Sequence, residues 1–354
     1  MVVELLHPVD RMETVKTTLA ENLGGPAHDL ASGDQAFSID NDVPDLSGKV
    51  ALVTGGSEGI GFGCTHTLIK HNVSKLFILS QREEVVEDAF KAIDEEFGED
   101  TSKKIIWLKC DLSDWDQTAQ TATKILDQTD KMDIVINNAA RGIMTQQFAP
   151  SNGIDLHMAS NHMGHVVLTS HLLPLLKKTA NTGNTVRIVN LASNAHQNAP
   201  KDTAFASVDE LQKDYGPVAQ YGRTKLATLL YSRYLGRHLT AAHPNILVNA
   251  THPGVVDTAQ TNVHIHEAYP LLGYGMSAGL KPFRKDQFEG CASTMYAAIV
   301  CNDSGLYITP PRIVEEGSPQ ANDLDLAERL MKLTRELVND KTGAGQKGCP
   351  MKDY

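Results

Sequence analysis

Val50-Ala51-Leu52-Val53-Thr54-Gly55-Gly56-Ser57-Glu58-Gly59-Ile60-Gly61 decides the fold. Four apolar residues without alternation predict a strand buried on both faces. Three glycines then precede Ile60–Lys70, whose pattern predicts a helix. Strand, glycine turn and helix in that order make an anion site. Glycine lets the backbone approach a phosphate closely, and the helix N-terminus offers free N–H groups. The spacing is Gly-x-x-x-Gly-x-Gly rather than Gly-x-Gly-x-x-Gly. Gly55, Ser57, Glu58, Gly59, Ile60 and Gly61 are therefore the candidate phosphate-turn residues.

Outward from this turn the same rhythm repeats. Leu76–Leu79, Ile105–Leu108, Met132–Ile136, Val186–Leu191 and Ile246–Ala250 predict further strands. Glu83–Phe97, Asp116–Leu126, His157–Lys178 and Ala219–His238 predict helices between them. Alternation of this kind predicts an α/β fold: a single Rossmann-type, doubly wound parallel sheet with helices on both faces. Residues 1–47 are set apart as an N-terminal arm, with a short helix over Val15–Leu23. Residues 48–340 form the catalytic domain and 341–354 a tail. Two long segments break the rhythm, Asn194–Pro217 and Val255–Phe288. The second, with His264, His266 and the apolar stretch Leu271–Phe283, is assigned as the substrate loop.

Composition excludes several classes. The 354 residues carry a net charge of −11 and no basic tract, which argues against nucleic acid and anionic membranes. No run approaches the length of a membrane span. The first 47 residues are acid-rich, with Arg11 and Lys16 their only basic residues besides histidine, unlike a transit peptide, so a cytoplasmic location is expected. The five cysteines are scattered without a CxxC, as expected of reduced thiols. His157, His162 and His165 lie near one helical face, but no carboxylate or cysteine completes a ligand set, and no metal is expected.

The chemistry lies in Tyr221-Gly222-Arg223-Thr224-Lys225. On a helix, Tyr221 and Lys225 share a face. An ammonium ~4 Å from a phenol at an effective dielectric of ~20 is worth ~4 kcal/mol, enough to lower a tyrosine pKa by roughly 3 units. Tyr221 is thus the candidate acid/base and Lys225 its tuner. Ser193, at the end of the fifth strand, is a candidate hydroxyl for orienting a carbonyl, or an ordinary capping serine. After the second strand no acid stands until Glu83, and Arg82 can pair with a 2′-phosphate. Glu58 argues the other way. NADP is the expected cofactor, with NAD as the alternative.

Thr54-Gly55-x3-Gly59-Ile60-Gly61, Asp111, Asn137-Asn138-Ala139-Ala140, Asn161, Ser193, Tyr221-x3-Lys225 and Pro253-Gly254 together resemble the short-chain dehydrogenase/reductase family. Asn161-His162-Met163-Gly164-His165 is most similar to its retinol-dehydrogenase-like and WW-domain-oxidoreductase-like branch. Pro282–Gly290 and Tyr307–Pro311 resemble fungal blue-light-inducible oxidoreductases. The resemblance spans about residues 44–335. It implies Tyr221 as acid/base, Ser193 polarising the carbonyl, Lys225 also holding the nicotinamide ribose, and Asn161 supporting a water chain to Lys225. It places Asp111, Leu112, Asn138, Ala139, Pro253, Gly254 and Val256 at the cofactor. Ala140 stands where the family usually has glycine, and Ala192 where serine is common. The implied reaction interconverts a carbonyl and an alcohol on a lipophilic small molecule, a fungal secondary metabolite being one such compound. A homo-oligomer through the helices of Asn161 and Tyr221 is also implied. Two other readings stand beside it: a cofactor-binding regulator without turnover, and a sugar-nucleotide epimerase or dehydratase. The latter share Tyr-x3-Lys but carry a Gly-x-x-Gly-x-x-Gly turn.

Overall fold

A computed structural model describes residues 37–254 and 287–342. The Val15–Leu23 helix, the greater part of the arm, the tail beyond Thr342, and Val255–Asp286 with Val256, His264 and His266 lie outside the described residues.

The described residues build one eight-stranded sheet from β1 (Val50–Thr54), β2 (Lys75–Ser80), β3 (Ile105–Lys109), β4 (Ile134–Asn137), β5 (Val186–Leu191), β6 (Ile246–Thr251), β7 (Tyr307–Thr309) and β8 (Ile313–Glu315). Their order is β3-β2-β1-β4-β5-β6-β7-β8. All neighbours run parallel except the β7–β8 pair. The expected doubly wound parallel sheet is present, and a short antiparallel pair extends it at one edge. β7 and β8 are only three residues each, too short for an apolar run to announce them.

Alternation sorts the strand residues onto two cores. Leu52, Phe77, Val135, Ile188 and Val248 face one layer. Val53, Ile78, Ile136 and Val189 face the other. Helices α1 (Gly59–Lys70) and α2 (Glu83–Phe97) cover the second layer. Helices α3 (Trp115–Leu126), α4 (His165–Asn181), α5 (Pro217–Leu235) and α6 (Leu324–Lys341) cover the first. Val43 and Leu46, drawn above as part of the arm, are buried in the second layer. Asp114 and Asp323 start α3 and α6 by accepting from the N–H groups of Gln117 and Leu326. Among the described residues no helix is long and apolar enough to cross a membrane.

Two long helices differ from their sequence reading. The stretch from His157 is interrupted by a π-turn at Ala159–Gly164 before α4 begins. A second π-turn, Gly236–Thr240, ends α5. Strand order reverses between β1 and β4, and the carboxyl ends of both strands open onto that crevice, where an α/β sheet of this kind binds its ligands. At the opposite ends of the strands, Asn181, Thr182 and Gly183 lie exposed where α4 turns toward β5.

Candidate active site

The glycine turn closes tightly. A side chain on Gly61 would overlap the Gly55 carbonyl oxygen and sit 2.5 Å from the Asn138 amide nitrogen. Asn138, just past β4, binds the same turn: its Nδ2 donates to the Thr54 carbonyl at 2.9 Å. The backbone N–H groups of Asn138 and Ala139 both donate to the Thr54 hydroxyl at 2.9 Å. The two strands flanking the crevice are therefore locked together by β1's last residue. Ser57 bonds the Ser80 hydroxyl at 2.8 Å, joining the turn to the end of β2.

Glu58 and Arg82 meet across the mouth of this turn. Arg82 Nη2 lies 2.6 Å from both Glu58 carboxylate oxygens. Both side chains are about half exposed, so the pair is screened and contributes little to stability. It does keep the arginine occupied. Asp111, two residues past β3, accepts from Ser113 N–H at 2.9 Å and Ser113 Oγ–H at 2.7 Å. Leu112 is buried, its carbonyl lying where a side chain on Gly164 would otherwise go. Pro253 and Gly254 follow β6 at the same edge and are part-exposed.

The second cluster is built on α5. The Ser193 hydroxyl caps a short 3-10 turn by accepting from Ala195 N–H at 3.2 Å. That turn lies against α5 because residue 222 is glycine: a side chain there would come within 2.7 Å of the Ala195 carbonyl oxygen. Arg223, fully buried, donates to the carbonyls of Glu210 and Leu211 at 2.7 and 2.6 Å. It thereby ties the Asn194–Pro217 excursion to the helix. Gly222 and Arg223, between the two candidate residues, thus bring Ser193 to Tyr221.

Tyr221 is half-buried, and its phenol faces the Ser193 hydroxyl, which favours the phenolate. Burial pushes that phenol up to about 12, the Ser193 hydroxyl opposing. Burial drives Lys225 down to about 8. Lys225 Nζ lies 5.5 Å from the centre of the Tyr221 ring and donates to the Leu191 carbonyl at 2.7 Å. The expected tuning is corrected here. The close ammonium–phenol contact assumed from helical spacing is not made, since the ammonium is turned toward the end of β5. The phenol is accordingly held protonated at neutral pH.

Asn161 sits within the π-turn. Its Oδ1 accepts from Arg141 N–H at 2.6 Å, and its Nδ2 donates to Arg141 O at 2.8 Å and Thr224 Oγ1 at 3.2 Å. Both amide hydrogens are thus committed to bracing the β4 loop against α5. The three histidines also have structural partners. His157 bonds the Gly142 carbonyl at 3.0 Å, His162 bonds Thr334 of α6 at 2.9 Å, and His165 bonds Thr54 at 2.9 Å. Burial pushes them down to about 4, 3 and 4 respectively. α6 also bonds α5, through Arg335 and Tyr234 at 3.0 Å. Part of the surface where the resemblance would seat a second subunit is therefore covered by the chain itself. Thr224 and His165 were absent from the sequence-derived site; the signal for His165 is an imidazole before the apolar run Val166–Leu168, and Thr224 has none beyond its place beside Lys225.

The family model for short chain dehydrogenases matches residues 49–268. An oxidoreductase of Neurospora crassa, bli-4, whose name includes the word mitochondrial, is 51% identical over 349 residues, covering 97% of this chain and 84% of its own. Polyprenol dehydrogenase of Danio rerio is 30% identical over 309 residues, covering 85% and 90%. The RhlG–NADP complex of Pseudomonas aeruginosa superposes with a TM-score of 0.56 at 26% identity, covering 75% and 95%. With the glycine turn at the crevice and Ser193, Tyr221 and Lys225 gathered at the same edge, the chain belongs to the short-chain dehydrogenase/reductase family and is an oxidoreductase of alcohol and carbonyl groups.

Proposed function

We propose that this protein is an NADP(H)-dependent oxidoreductase that interconverts a carbonyl and an alcohol on a lipophilic small molecule, with Tyr221 as its proton donor. The observation that carries this is the placing of the Ser193 hydroxyl against the Tyr221 phenol, with Lys225 behind the ring. The residues fit a dinucleotide: Gly61 has no room for a side chain against Gly55, and Arg82 stands at the end of β2. When bound, the nicotinamide supplies or accepts the hydride. A carbonyl oxygen between the two hydroxyls takes a hydrogen bond from each. Tyr221 passes its proton as negative charge develops on that oxygen, and Ser193 steadies the charge. The Lys225 ammonium, held on the Leu191 carbonyl, acts on the phenolate left behind only across the ring, without contact. Asn161 acts chiefly as a brace, with one acceptor lone pair left for water on the route back to Lys225.

Support for an apolar substrate comes from the Leu271–Phe283 stretch and from the relative named for polyprenol. The test titrates NADPH and NADH by fluorescence, then screens aromatic, polyketide-like and long-chain isoprenoid aldehydes and ketones. Turnover of an apolar carbonyl with NADPH supports the reading. Tight binding of NADPH with no turnover across the screen would favour a cofactor-binding regulator. We place the activity in the cytosol on the acid-rich composition of residues 1–47. The mitochondrial name of the Neurospora relative makes the mitochondrion the alternative, which fractionation decides.

Cofactor choice turns on the Arg82–Glu58 pair. Freeing Arg82 by Glu58→Gln is expected to tighten NADPH binding about tenfold and leave NADH nearly unchanged. Arg82→Ala is expected to weaken NADPH by a similar factor. Fluorescence titration of both cofactors with both variants checks this.

The reaction's pH dependence follows from Lys225. Burial has lowered it to about 8, so its charge is present below that pH and lost above it. Tyr221 stays protonated throughout this range. For carbonyl reduction, kcat/KM is expected to be level at neutral pH and to fall about tenfold per unit above about 8. Lys225→Arg, which keeps its charge, should move that limb upward in the measured profile.

A further inference from the structure

We propose that His165 is a positioning residue for proton transfer, acting as a neutral imidazole in a single tautomer. It holds the Asn161 carbonyl in register with the end of β1. The inference rests on the reading of Tyr221 and Lys225 as the proton site.

The tautomer follows from counting donors. The Thr54 hydroxyl has one hydrogen and two lone pairs. Both lone pairs are taken, by the N–H groups of Asn138 and Ala139 at 2.9 Å. Its hydrogen therefore goes to its remaining partner, His165 Nε2 at 2.9 Å. Nε2 accepts, so in a neutral ring Nδ1 carries the hydrogen. Nδ1 lies 3.1 Å from the Asn161 carbonyl and donates to it. Burial keeps the ring neutral; it is 4% exposed among Thr54, Asn161 and the α4 core.

The π-turn explains why a side chain is needed. In an unbroken α-helix the backbone N–H of residue 165 would bond the carbonyl of residue 161. Here that N–H bonds the His162 carbonyl instead. The imidazole of His165 supplies the bond that the backbone has given up. The result is a directed chain: N–H groups of Asn138 and Ala139 to Thr54, Thr54 to His165, His165 to the Asn161 carbonyl. From Asn161 the side-chain amide continues to Thr224, beside Lys225. One imidazole thus joins the glycine-turn end of β1 to the helix that carries the acid/base pair.

Two variants separate the ends of this link. Asn places an amide nitrogen near the position of Nδ1 and retains the bond to Asn161. Gln places an amide oxygen near Nε2 and retains the bond to Thr54. His165→Gln is expected to lower kcat about 100-fold, as a misplaced brace would, while His165→Asn lowers it about tenfold. The alkaline limb of the profile should shift in His165→Gln and stay in His165→Asn. Equal losses in the two variants, or a limb that moves in neither, overturn the proposal. The wild-type protein gives a test without turnover: 15N-histidine NMR should show His165 protonated at Nδ1 and bare at Nε2. An Nε2–H tautomer overturns the proposal even if both variants fail to fold. Because the tautomer does not depend on Tyr221, its failure is distinguishable from failure of the acid/base assignment, which Tyr221→Phe decides.

Discussion

Tyr221→Phe is expected to fold and bind NADPH as the parent does, yet reduce its substrate about 10³- to 10⁴-fold more slowly. The ring stays, so the surface facing Lys225 is preserved. What goes is the hydroxyl that faces Ser193. Without it the developing alkoxide keeps one donor and must draw its proton from water. Folding should suffer little, because the hydroxyl of a half-buried phenol contributes only about 1 kcal/mol. The measurement is a single-turnover rate at saturating NADPH beside a melting curve of the same sample. A loss below tenfold with an unchanged melt would pass the proton-donor role to another group.

Gly61→Ala is expected to act in the opposite order, on structure before chemistry. The added methyl would overlap the Gly55 carbonyl oxygen, and the Asn138 amide leaves it no retreat. Both are held: Asn138 Nδ2 donates to Thr54 O at 2.9 Å, and Gly55 N–H donates to the Leu79 carbonyl at 2.7 Å. Relief requires moving the start of α1 away from β1, at the position that would receive a phosphate. The expected cost is about 4 kcal/mol or more, the range reserved for severe steric faults. A chemical-denaturation curve measures it, and NADPH titration should show no binding by whatever folded protein remains.

The two variants also mark what could be read in the sequence. β1 and β2 were legible because strands covered on both faces are continuous apolar runs. Glu83–Phe97 was legible because one face is polar throughout. The glycine turn and Tyr221-x3-Lys225 were legible because their chemistry demands particular residues at fixed spacing. The π-turn at Ala159–Gly164 was not, since one extra residue in a helical turn leaves no mark on composition. Nor was the orientation of Lys225. Helical spacing places its Cα, while the carbonyl of Leu191, from another strand, decides where the ammonium goes. α6 was passed over although Asp323 caps it and Leu326, Leu330, Leu333 and Leu337 form its apolar stripe.

Every group assigned to chemistry stands at one edge of the sheet, at or beyond the carboxyl ends of its strands. The turn at Asn181–Gly183 lies at the opposite ends of the strands, a strand's length of about 20 Å below. The molecule therefore has a working end and a handling end. An affinity tether, a fluorophore or an electrode linker fixed at that turn would hold the enzyme upright, with its reacting end facing solution.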